Sequence, residues 1–99
     1  MTKHAYRYRF ARDVDLHEAE GTLRLAVLAA EGLFGRCRVC MDAAWAVDES
    51  INVIVVDAGT LVGFTVSLIF TSFINAEFGP RAFSVRGVDL LPDPPRPAA

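Results

Sequence analysis

The sequence predicts one α+β domain, in which a four-stranded antiparallel sheet carries two helices on one face. Its 99 residues fit a single domain of ordinary size. Two long segments repeat apolar residues at helical spacing, whereas four shorter segments alternate apolar and polar residues or are rich in β-branched ones. Gly, Asp and Pro residues separate these segments.

The first strand is predicted over residues 4–10, where aromatic and basic residues alternate. Its aromatic face holds Tyr6, Tyr8 and Phe10, and its other face holds Arg7 and Arg9. A helix follows from 16 to 34, with an aspartate cap at its start and Gly35 as its stop. The apolar arc of this helix consists of Leu16, Ala19, Leu23, Ala26, Val27, Ala30 and Phe34.

Alternation predicts a second strand over residues 37–47, with Arg38, Cys40 and Asp42 on the face opposite Cys37. A β-branched strand covers 51–56, a second helix covers 61–78, and a last strand covers 82–88. Four prolines follow within residues 90–99, so we expect a disordered or extended tail there and a folded domain over 1–89.

The order β-α-β-β-α-β corresponds to the split βαβ, or ferredoxin-like, topology. With right-handed crossovers, this topology gives the strand order 4-1-3-2 and places both helices on one face of the sheet.

The overall composition narrows the function without identifying it. A formal net charge of −2 argues against a generic nucleic-acid-binding protein, which is usually basic. No secretory signal opens the chain, and its two cysteines fit a reducing compartment, so we expect a cytoplasmic protein. No grouping of Ser, His, Asp or Glu predicts catalysis, and none predicts a cofactor; we therefore expect a non-enzymatic protein.

The second helix has no charged residue between Asp57 and Glu77. A membrane span is one interpretation, but glycines and hydroxyl residues dilute its hydrophobicity and it occupies the position of a βαβ crossover helix. Its predicted core arc is Val62, Val66, Ile69, Phe70 and Phe73, which leaves a second apolar arc on the opposite side.

That second arc consists of Leu61, Phe64 and Leu68, with Ser72 beside them, and Leu25 and Leu28 form a weaker counterpart on the first helix. Exposed apolar patches rimmed by small polar residues are typical of interfaces. The sequence therefore predicts self-association through the helical face, most simply as a twofold dimer. Another protein as partner, an interface introduced by design and ordinary exposed leucines remain open interpretations.

Two polar features offer alternatives. Cys37 and Cys40 have Cys-x-x-Cys spacing, but in a strand they would point to opposite faces, so we expect a core Cys37, an incidental Cys40 thiol and no metal site. The open sheet face is predicted to carry the arginines Arg7, Arg9, Arg38 and Arg86. They predict an alternative function, the binding of an anion or of RNA. The competing interpretation is a solvent-exposed sheet face with cross-strand ion pairs.

Overall fold

The computed structural model of the protein describes residues 3–90 and has an α+β architecture with three helices and one four-stranded antiparallel sheet. The elements are β1 (Lys3–Phe10), α1 (Leu16–Phe34), α2 (Arg36–Asp42), β2 (Trp45–Asp48), β3 (Val53–Asp57), α3 (Leu61–Phe78) and β4 (Phe83–Leu90).

The strands lie in the order β2-β3-β1-β4, which reads 4-1-3-2 from the β4 edge. In the central strand β1, Tyr8 pairs with Ile54 of β3 on one side and with Val85 of β4 on the other. Tyr8 and Ile54 belong to the hydrophobic core that the sheet forms with α1 and α3. Because side chains alternate along a strand, this register also fixes which residues occupy the uncovered face.

The segment at residues 36–42 is a helix and not the start of the predicted second strand. Gly35 ends α1 with a φ of 86°, a conformation that favours glycine, and α2 begins at the next residue. In α2 only Val39 is buried, while Arg38 and Asp42 form an i,i+4 ion pair at 3.7 Å. The second strand is therefore short, and α2 is a helix that the βαββαβ prediction did not include.

Smaller differences concern the ends of strands. Ile51 lies in the turn before β3, where Asn52 has a φ of 53°, so the third strand starts at Val53. The last strand reaches Leu90, which the prediction had assigned to the tail. The rest of the predicted tail, residues 91–99, lies outside the described residues.

Helix α3 lies on the sheet with Val62, Val66, Phe70 and Ile74 buried. The predicted core arc was correct for the first three of these, but Phe73 is 38% exposed and Ile74 takes the inner position. By length and composition alone, α3 is also long and apolar enough to cross a membrane.

Two contacts seat α3 on the sheet. The Tyr8 hydroxyl donates to the Ser67 carbonyl oxygen at 3.1 Å and lies 2.8 Å from the Thr71 hydroxyl oxygen. At the start of the helix, Gly63 packs so closely on the carbonyl of Asp57 that a Cβ atom there would overlap the oxygen. Glycine at position 63 is therefore required by the close approach of backbone to backbone.

We expect Gly63→Ala to lower the free energy of unfolding by about 2–3 kcal/mol, because the added methyl must push α3 away from Asp57. Gly87→Ala is the control, since its Cβ position lies 3.8 Å from the Tyr6 ring, which is an ordinary contact, and glycine within a strand is less favourable than alanine by about 0.5–1 kcal/mol. Urea denaturation of both variants measures the difference. Equal stability of the two variants would contradict this seating of α3.

Burial raises the pKa of Tyr8 above its ordinary value, although its hydrogen bonds to Thr71 and Ser67 act in the opposite direction. The unfolded chain then ionises this tyrosine at a lower pH than the folded chain does. Its contribution to stability is complete below the unfolded pKa of about 10 and decreases as the pH rises above it.

We expect Tyr8→Phe to be less stable than the wild type by about 1 kcal/mol at neutral pH, through its lost hydrogen bonds. This difference should shrink above pH 10, where the wild type loses the contribution of Tyr8. Denaturant titrations at several pH values measure it, with Tyr6→Phe as the control. A stability difference between wild type and Tyr8→Phe that stays constant through the alkaline range would refute the raised pKa of Tyr8.

Candidate functional site

The helices carry most of the exposed apolar surface of the molecule. Eight of the ten large hydrophobic residues that are exposed among residues 3–90 lie on helices. These eight are Leu25, Leu28, Leu33, Met41, Leu61, Phe64, Leu68 and Phe73. We call the outward surface of α1 and α3, with the seven of these residues that the two helices carry, the helical layer.

On α3, the predicted second arc faces outward as expected. Leu61 and Leu68 are 59% and 56% exposed, whereas Phe64 is 39% exposed and leans toward Tyr6, with 6.4 Å between their ring centroids. Ser72 is also exposed. The hydroxyl of Thr65 donates to the Leu61 carbonyl oxygen within the helix, so this polar group needs no water to complete its hydrogen bonding.

On α1, Leu25 and Leu28 are exposed as predicted, and Leu33 extends the same surface. Thr22 of α1 donates to the Glu77 carboxylate of α3 at 2.6 Å, which sets the first half of one helix beside the end of the other. The two helices therefore run antiparallel with their outward surfaces side by side. Glu77 is the single charged residue of α3, and it is engaged in this contact.

The apolar surface continues from α3 toward the edge of the sheet. A hollow of about 400 Å³ lies between α3 and β4, with Leu68 and Ser72 on one wall and Val85 on the other. Tyr8 and Thr71 form part of its floor. Such a hollow can accept a side chain from a molecule that covers the helical layer.

The opposite, uncovered face of the sheet, which we call the arginine face, carries three of the four predicted arginines: Arg7, Arg9 and Arg86. The register sets Arg7 of β1 directly opposite Arg86 of β4, and Arg9 pairs with Ser84. Within residues 3–90, no carboxylate lies within ion-pair distance of these three arginines. Like charges directly opposite each other in a sheet are destabilising, and no described carboxylate forms an ion pair with Arg7 or Arg86.

The fourth predicted arginine does not belong to this face. Arg38 lies on α2, where its guanidinium carbon is 5.1 Å from the centre of the Phe34 ring and its Nε pairs with Asp42. The prediction for Arg38 was wrong because it assumed a strand where the chain forms a helix. Asp42, which was predicted to lie on the same strand face as Arg38, is also on α2.

The aromatic residues of the strands all lie on the helix-covered face of the sheet. Tyr8 and Phe10 contact Phe70 of α3, and Phe10 also contacts Phe83 of β4. Trp45 donates to a Glu20 carboxylate oxygen of α1. Among the described strands, therefore, the arginine face presents no aromatic ring on which a nucleic-acid base could stack.

The two cysteines are arranged differently from the expectation. Cys37 was predicted to lie in the core and Cys40 on the open sheet face, but both are free, exposed and part of α2. Residues three apart in a helix share one side, with their Cα atoms about 5 Å apart. This separation falls within the range that a disulfide bridges, about 4.4–6.8 Å.

His4 lies near the start of β1, and His17 lies in the first turn of α1, beyond the other end of β1. His4 pairs with Asp89 at 2.9 Å, and His17 lies 3.6 Å from Glu49. All four side chains are exposed, and across residues 3–90 no three His, Cys, Asp or Glu residues are grouped closely enough to hold a metal ion. The arrangement supports surface ion pairs of small energetic value.

Comparison of the chain with models of known protein families, with curated proteins and with solved structures found no match. Two surfaces of the described residues are suited to binding: the helical layer and the arginine face.

Sequence reasoning missed Leu33 and Phe73 as parts of the helical layer. The available signal for Leu33 was the scarcity of charge after Arg24, since Glu31 is the single charged residue in the rest of α1. For Phe73 the signal was ambiguous, because α3 has apolar residues around its whole circumference.

We expect mild oxidation with diamide to join Cys37 and Cys40 in an intramolecular disulfide, because α2 presents both thiols on one side. Intact mass spectrometry should show the loss of two hydrogen atoms from the monomer. In the Cys40→Ser control this loss should not occur. Exclusive formation of disulfide-linked dimers by the wild type would contradict the placement of the two cysteines.

Proposed function

We propose that this chain is a non-enzymatic, self-associating module whose helical layer is covered by a second copy of itself. The observation that carries the proposal is the concentration of exposed apolar side chains on α1 and α3. On α3, no charged residue interrupts this surface from Leu61 to Ala76. Surface helices of monomeric proteins normally present charged residues there.

Four leucines of the helical layer are large apolar side chains in contact with water: Leu25, Leu28, Leu61 and Leu68. Each is between 56% and 61% exposed. Complete burial of such a side chain is worth about 1.5–3 kcal/mol, so leaving all four in water forgoes several kcal/mol. A partner that covers them recovers this free energy, less the entropy lost on association.

The size of the helical layer suits a second copy. Helices of 18 and 19 residues are about 27 Å long, and two of them side by side cover roughly 27 by 20 Å. The projected area, about 540 Å², approaches the roughly 800 Å² of accessible surface per partner in a standard interface. A corrugated helical surface has more accessible area than its projection.

The residues around the leucines favour close packing. Gly21 and Gly32 on α1 have no atoms within 4 Å of their Cβ positions, so a helix of a second copy has room to approach there. A twofold axis through the layer would bring the same apolar surface of both copies together, which is the simplest closed arrangement.

We further propose that the fold belongs to the ferredoxin-like class, with α2 as an addition between the first helix and the second strand. The strand order β2-β3-β1-β4 and the alternation of strands and helices support this assignment. We also propose a cytoplasmic location, because two exposed free thiols suit a reducing compartment.

We expect the wild type to form a dimer at micromolar concentration and Leu68→Arg to be monomeric, because the variant sets a charge on the exposed apolar surface in the middle of α3. Leu61→Glu should act in the same direction. Sedimentation equilibrium measures the mass, and circular dichroism should show unchanged helix content, since both side chains point away from the core.

Ile51→Glu is the matched control: Ile51 is similarly exposed, but it lies in the turn before β3 and away from the helical layer. This variant should remain dimeric. A wild-type protein that is monomeric at micromolar concentration would refute self-association. Dissociation of the Ile51→Glu variant together with an intact Leu68→Arg dimer would instead locate the interface elsewhere.

A further inference from the structure

We propose that the arginine face is a binding site for a compact, multiply charged anion, such as the phosphate monoester or diphosphate group of a small molecule. The site consists of Arg7, Arg9 and Arg86 with the Ser84 hydroxyl beside them. It lies on the face of the sheet opposite the helical layer, so it is independent of self-association.

The register brings the three guanidinium groups within reach of one ligand. Arg7 and Arg86 are direct cross-strand partners, and Arg9 is the diagonal neighbour of Arg86. Their Cβ atoms are therefore about 5 Å apart for the direct pair and about 7–8 Å apart for the diagonal pair. Side chains as long as arginine can converge from these positions on one tetrahedral group, with the planar guanidinium donating two hydrogen bonds at a time.

A pocket of about 330 Å³ lies where these side chains meet, lined by the three arginines, Ser84 and Val85. Its volume suits a phosphate-bearing group and is too small for an extended polymer. Arg7 is half-buried, while Arg9 and Arg86 are exposed, so Arg7 forms the inner side of the pocket and the other two its rim.

The charges around the site favour an anion on the β4 side of Arg7. A larger hollow of about 730 Å³ on the other side of Arg7 contains Asp48 and Glu49, which would repel a phosphate. Asp48 belongs to β2, which is separated from β1 by β3 and thus lies about 10 Å away. Asp57 lies on the same face, but its carboxylate accepts the backbone N–H of Gly59.

The absence of aromatic rings from the arginine face of the described strands selects the class of ligand. Domains that bind single-stranded RNA on a sheet stack the bases on exposed aromatic side chains. Here Tyr6, Tyr8 and Phe10 are on the helix-covered side. Charge-assisted hydrogen bonds without stacking suit a compact anion.

Titration calorimetry with inorganic pyrophosphate at low ionic strength tests the site. We expect binding by the wild type, and a weakening of about tenfold or more in Arg7→Gln and in Arg86→Gln, since each loses a charge-assisted hydrogen bond. Arg36→Gln removes the same charge from exposed α2 and should bind pyrophosphate as the wild type does.

The melting temperature of the ligand-free protein is a second measurement, and the same substitution should change it in the opposite direction to the affinity for pyrophosphate. Arg86→Gln removes the like charge opposite Arg7 and should raise the melting temperature of the ligand-free protein while it weakens pyrophosphate binding. Arg36→Gln should change neither quantity. This pair of effects distinguishes a site built for a ligand from general attraction to a basic surface.

Pyrophosphate binding that is equal in the wild type and in Arg7→Gln, or absent from both, overturns the proposal. Tighter binding of oligouridylate than of pyrophosphate also overturns it, in favour of RNA. Vesicles of phosphatidylcholine with phosphatidic acid carry the same chemical group on a surface. If pyrophosphate binds, sedimentation of the wild type but not of Arg7→Gln with these vesicles would identify a lipid as the source of the group, and the lack of sedimentation would identify a soluble ligand.

Discussion

The contact between Tyr8 and α3 determines which apolar side chains of α3 are buried and which form the exposed surface of the molecule. Tyr8 sits in the central strand with no exposed surface, its ring meets Phe70 edge-on, and its hydroxyl reaches Ser67 and Thr71. Together with the close approach of Gly63 to Asp57, these contacts fix the rotation of α3 about its axis. Because α3 is apolar on every side, its rotation decides which residues become core and which become surface.

This dependence explains why the core of α1 was easier to predict than that of α3. Helix α1 has charged residues on its outward side, and five of the seven residues in its predicted arc are buried. In α3, neighbouring apolar residues compete for the inner position, and periodicity alone cannot choose between Phe73 and Ile74. The inner position is determined by the hydrogen bonds of the Tyr8 hydroxyl and by the close approach of Gly63 to Asp57. The Tyr8 contacts join segments that are distant in sequence.

The misassigned region has a different physical cause. Helix α2 has seven residues and buries one side chain, Val39. One buried position cannot show the periodic spacing of apolar residues from which a helix is predicted. The alternation of apolar residues from Cys37 onward therefore resembled a strand, and Gly35 marked the end of one helix without showing that another begins at once. The arginines of β1 and β4 could be assigned to one face because those strands are eight residues long, whereas the assignment of Arg38 failed with the element that carries it.

Both helices that pack on the sheet lie on the same side, so the molecule has two chemically opposite faces, one apolar and one cationic. If two copies meet through their helical layers, the sheets become the outer surfaces and the two sets of arginines point in opposite directions. A single small anion cannot then be held by both copies at once, and each copy binds its own ligand. The resulting particle is bivalent, with two outward-facing sites suited to bridging separate anionic molecules.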